Sequence, residues 1–78
     1  MLSEPMTLYK LMNLYMLKKV NFPLTNAQLT DFFLQHEYAS YFTLQQALGE
    51  LKDSGLIRAE STHSTTRYEI TKEGEETL

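Results

Sequence analysis

The side chains with most scope for specific chemistry in this sequence are hydrogen-bonding ones. Ser40, Tyr41, Thr43, Gln45 and Gln46 crowd the run SYFTLQQ, and His63 and Arg67 stand in THSTTRYEI further along. Hydroxyls and amides both donate and accept, so such a set suits recognition of another polar surface. Bond-making chemistry has little to work with. Cysteine is absent, which excludes a thiolate nucleophile, a thiolate metal site and a disulfide framework. His36 and His63 fall on different segments, with no carboxylate recurring at a ligand spacing around either. Gly49, Gly55 and Gly74 are isolated, so no glycine-rich loop is available to cradle a phosphate. A lone Asp31 or Glu37 reads as surface charge. No catalytic residue, metal or cofactor is expected, and the chain is not read as an enzyme.

What positions these groups must be small. At 78 residues and 42% hydrophobic, the chain makes one domain near the lower limit for a self-sufficient core, so a partner surface is expected. The longest apolar run, around Leu14 to Leu17, falls far short of the roughly 20 residues of a membrane span. No membrane partner is expected, and the lack of cysteine suits a reducing, cytoplasmic setting. The net charge of −3 opposes broad attraction to polyanions. That charge is uneven: Lys10, Lys18 and Lys19 face only Glu4 in residues 1–24, whereas Lys52 faces Asp31, Glu37, Glu50 and Asp53 in residues 25–54.

Hydrophobic spacing predicts a helix over 7–20, with Leu8, Leu11, Met12 and Tyr15 on one face. Tyr9, Met16 and Val20 widen that face, and Leu14 and Leu17 point elsewhere, giving more apolar surface than a small core should need. Asn21, Phe22 and Pro23 end the helix, because the residue before proline is driven from the helical region. There is room for a very short strand around Phe22 to Leu24. Thr25 and Gln28 form a capping-box pattern that starts a helix over 26–37, with Leu29, Phe32 and Phe33 inward. Ser40 caps a helix over 41–54 whose buried stripe is Leu44, Ala47, Leu48 and Leu51. Gly55 supplies a left-handed cap, and the period then changes to two, predicting a hairpin over 56–71. Its connection, THSTT, has neither glycine nor proline, so a mobile tip is expected. Thr71 caps a last helix over 72–78. The end on Leu78 is read either as the first domain of a longer protein or as a helix covered by another chain.

The run LGELKDSGLIRAE, with Leu48, Leu51, Gly55, Leu56 and Ile57, resembles the end of the recognition helix and start of the wing in MarR-like and PadR-like transcription regulators. YEITKEGEETL is similar to the ending of the same wing, through Tyr68, Thr71 and Gly74. Nearly the whole chain also resembles the N-terminal half of an uncharacterised family of longer regulator-like proteins of Gram-positive anaerobes. The resemblance implies a mainly α, α+β winged helix-turn-helix domain: a three-helix core, a two-stranded wing and a C-terminal helix. It implies a bacterial regulator that places residues 41–54 in the major groove of double-stranded DNA and lays the wing, 56–71, on the flanking groove or backbone. The residues it nominates are Ser40, Tyr41, Thr43, Gln45 and Gln46, with His63 and Arg67 on the wing. For Arg67 a cross-strand ion pair with Glu60 stands beside the DNA reading. Only Lys52 is basic on the third helix, where DNA-binding relatives carry several cations. Such regulators pair as homodimers on two half-sites, and Leu8, Tyr9, Leu14, Met16 and Leu17 are the expected interface. The alternative is a winged-helix protein-interaction or dimerisation module that does not touch DNA. No residue constellation identifies a small-molecule effector.

Overall fold

The computed structural model describes residues 5–78. The elements run α1 (Pro5–Val20), β1 (Leu24–Thr25), α2 (Asn26–Gln35), α3 (Tyr41–Asp53), β2 (Ile57–Ser61), β3 (Thr66–Ile70) and α4 (Lys72–Thr77). The result is a mixed α+β domain, mostly helical, with a three-stranded antiparallel sheet in the order β1-β3-β2. The central strand β3 pairs Tyr68 with Leu24 on one side and with Ala59 on the other. The helix at 7–20 in the sequence reading begins two residues earlier, at Pro5, because proline is tolerated in a first turn where its missing N–H would have no partner.

Local chemistry explains most boundaries. Thr25 accepts from the Gln28 amide at 3.0 Å and its own amide donates to Gln28 Oε1 at 2.9 Å, a complete capping box. Ser40 accepts from the Thr43 amide, and Thr71 from the Gly74 amide. The α3 terminus is a Schellman turn: Leu56 donates to the Leu51 carbonyl and Gly55 to that of Lys52, with Gly55 at φ 79. The same turn ends α2, where Tyr38 donates to Phe33 and Glu37 to Leu34, but a glutamate holds the left-handed position at φ 58. Asn21, at φ 62, turns the chain out of α1 before Pro23 takes part. The β2–β3 connection closes on its own hydroxyls. Thr62 donates its amide to the Thr65 carbonyl at 2.8 Å and its hydroxyl to the same oxygen at 3.2 Å, supplying what glycine or proline would otherwise provide.

The core joins Leu14 and Leu17 of α1, Leu24, Leu29 and Phe33 to Leu44, Leu48, Leu51, Ile57 and Tyr68. This corrects the expectation for the first helix. Leu14 and Leu17 are 1% and 2% exposed, so they are core residues and cannot carry a dimer interface. Helix α1 packs on α3, β3 and α4 at once, so its buried side covers more of its circumference than a single stripe does. Tyr9 and Met16 are half-buried against this core, with Tyr9 edge-on to Phe33. Leu8 is exposed. Asn13 is fully buried beside them; its amide donates to the Tyr9 carbonyl at 2.8 Å, and its Oδ1 has no protein partner among the described residues.

Candidate functional site

Three elements converge at one end of the sheet. The cap and start of α2 (Thr25, Asn26, Ala27), the first residue of α3 (Tyr41) and the β2–β3 turn with the first residue of β3 (Ser64, Thr65, Thr66) line a cleft of about 520 Å³. Its walls carry several hydroxyls, the Asn26 amide and one carboxylate, Asp31, set among at least as much apolar surface. The cleft exists because β1 pairs with β3: Thr25 lies opposite Arg67, which brings the α2 cap beside the hairpin. A helix amino terminus presents unpaired amides and the positive end of the helix dipole. Here the Thr25 and Ser40 caps satisfy part of that demand internally.

A polar network fixes the angle between α2 and α3. Asn26 Nδ2 donates to Gln45 Oε1 at 2.8 Å, and Gln45 Nε2 donates back to Asn26 Oδ1 at 3.1 Å. Thr30 Oγ1 donates to Asn26 Oδ1 at 3.1 Å, and the Tyr68 hydroxyl accepts from Asn26 Nδ2 at 3.2 Å. These groups are partly buried, where an unmade hydrogen bond is costly, so the network sets geometry. Gln45 therefore differs from its sequence reading. Its amide is committed inside the domain and is not presented outward to a ligand.

The other nominated residues lie at the surface or close to it. Tyr41 is exposed and meets the Phe42 ring edge-on at 6.0 Å between centroids. Thr43 is half-buried and its hydroxyl lies 2.9 Å from that of Ser40. Gln46 is exposed and donates to Glu50 Oε2 at 3.0 Å. Glu50 in turn meets Lys10 Nζ at 2.5 Å, tying α3 to α1. The lysine, and then Gln46, hold the Glu50 carboxyl below the usual carboxylate range. On the outer face of the sheet, Arg58 rather than Arg67 makes the cross-strand ion pair, through its Nε and Nη2 to Glu69. Arg67 stands opposite Glu60 in register, yet among the described residues no carboxylate lies within ion-pairing distance of it. It is exposed, as is His63 in the turn.

Two residues beyond the nominated set stand out. Phe42 is 82% exposed, and Gly49 lies inside α3 with open space where a Cβ would be. A glycine in a helix interior costs roughly 0.5–1 kcal/mol relative to alanine, and neither backbone nor packing requires one here. The sequence signal for Phe42 was its position off the Leu44-Ala47-Leu48-Leu51 stripe. Gly74 is the opposite case: a Cβ there would lie 2.1 Å from the Leu56 carbonyl oxygen, so α4 can pack only with glycine.

Away from the cleft, Leu11, Met12, Tyr15, Met16, Phe32 and Leu78 line an apolar groove of about 480 Å³. Among the described residues, no cluster of three or more His, Asp or Glu side chains is placed to hold a metal ion, and no helix is long and apolar enough to cross a membrane.

The architecture thus defines a small α+β domain with a cleft at one end of its sheet and a separate apolar groove. Residues 9–78 match the family described as a domain of unknown function (DUF4364), and the chain belongs to that family. No curated protein and no solved structure matches the chain.

Proposed function

We propose that this domain is a winged helix-turn-helix module that binds double-stranded DNA in the bacterial cytoplasm and regulates transcription. One observation carries the reading: the amino ends of α2 and α3 and the β2–β3 turn share one cleft, with hydroxyls contributed from all three. In such a module α3 enters the major groove while the hairpin reaches the flanking groove or backbone. Tyr41, Thr43 and Gln46 are the base- and phosphate-directed groups on α3, with Ser40 at its cap. Arg67 and His63 act from the hairpin. Gln45 holds α3 at its angle and leaves reading to its neighbours.

Few cations are available to neutralise phosphates, so binding is weakly salt-dependent. Polarisation assays with random and genomic duplexes should give a log affinity against log salt slope of magnitude about 1–3, and Arg67→Ala should lower it by about 1. Binding no tighter than that of an unrelated acidic protein would sink the reading.

A second reading, a protein-interaction or dimerisation module without DNA contact, is favoured by the apolar groove. The two meet if the groove pairs the domain into a homodimer across two half-sites. The pairing surface is then Leu8, Leu11 and Tyr15, with Met16 at its edge, in place of Leu14 and Leu17. A monomer mass in equilibrium sedimentation at high concentration would exclude that pairing.

A further inference from the structure

With residues set about 100° apart, Phe42, Gln46, Gly49 and Asp53 fall on the pole of α3 opposite its buried stripe. Two of them are unfavourable for the free domain. Phe42 is the most exposed of the large apolar side chains among the described residues, at 82%, and Gly49 weakens the helix with no packing or backbone need. Together they describe a helix face open to close approach, with an apolar anchor near its amino end. Gln46 lies one turn beyond that anchor. Its contact to Glu50 is exposed and uses the amide nitrogen alone, so the side chain can be re-aimed.

We infer that this stripe recognises A·T base pairs in the major groove, with Phe42 covering thymine 5-methyl groups, Gln46 pairing with adenine, and Gly49 letting the α3 backbone seat close to the duplex. The inference rests on the DNA reading above and adds the class of sequence read. An A·T pair is the one that displays in the major groove both an apolar methyl and the donor–acceptor edge that a carboxamide matches bidentately. This stripe offers a complement to each. The scarcity of cations on α3 agrees with it, because methyl contact and amide pairing need no charge. Gln45 cannot substitute for Gln46, since its amide is engaged by Asn26 on both atoms.

The test uses duplexes selected from a random pool by this chain and resynthesised with deoxyuridine for thymine, which removes the methyl and keeps the pairing. Wild-type protein should bind the deoxyuridine duplex about fourfold more weakly for each methyl covered. Phe42→Ala should bind both duplexes alike, and thermal melting checks that it folds. Gly49→Ala should melt about 4 °C higher and yet bind the selected duplex several-fold more weakly, a split that a purely structural glycine would not give. Equal binding of the thymine and deoxyuridine duplexes by the wild type overturns the inference, as does undiminished binding by Gly49→Ala. Failure to bind any duplex overturns the DNA reading itself.

Discussion

Gln45 and Gln46 are neighbours of the same chemistry, and their surroundings give them opposite roles. A rotation of about 100° along α3 turns Gln45 toward α2, where Asn26 engages both of its amide atoms, and leaves Gln46 outward with Glu50. Removing Gln45 strands the partly buried Asn26 amide. Gln45→Ala should therefore cost about 1–3 kcal/mol in urea denaturation, whereas Gln46→Ala should stay within about 0.5 kcal/mol of wild type. Equal effects would show that the network does not brace the two helices. This distinction was not legible in the sequence, because Gln45's partner lies nineteen residues away and neither residue belongs to the apolar stripe. The same holds for the arginines: cross-strand register alone pairs Arg58 with Glu69 and Arg67 with Glu60, but only the first pair closes.

The elements themselves were readable where their signals are local. The Thr25–Gln28 box, the Ser40 and Thr71 caps and the left-handed Gly55 need only three or four consecutive residues, and each appears where the sequence put it. Glu37 in the equivalent turn after α2 carries no such signal, because glutamate seldom adopts positive φ. Helix α1 was misread for a tertiary reason. Its apolar residues surround much of the helix because it packs against three elements, so periodicity could not separate Leu14 and Leu17, which face the core, from Leu8, Leu11 and Tyr15, which face out. The outward set, not the inward one, is what a second copy could cover. Tyr15 is 56% exposed, with the Lys19 ammonium over its ring at 5.9 Å. Tyr15→Glu should leave the melting temperature nearly unchanged, since exposed substitutions seldom matter, and should shift the sedimentation mass to that of a monomer. Self-association that survives this charge would place the interface elsewhere.

At the scale of the whole molecule, a domain with a net charge of −3 is proposed to bind a polyanion. Two ion pairs, Lys10–Glu50 and Arg58–Glu69, hold basic groups within the fold, and Asp31 lines the cleft, so long-range attraction is small. Affinity must then come from close contacts along α3 and the hairpin, and pairing of two domains multiplies what one achieves alone. The two surfaces make the competing readings separable, because the cleft and the apolar groove share no lining residue. The most direct measurement is a titration of isotopically labelled protein with a selected duplex, followed by amide chemical shifts. The proposed function predicts saturable shifts concentrated at Ser40–Gly49, at the start of α2 and at His63–Arg67. Shifts confined to Leu11–Met16, Phe32 and Leu78, or none at all at low salt, would contradict it.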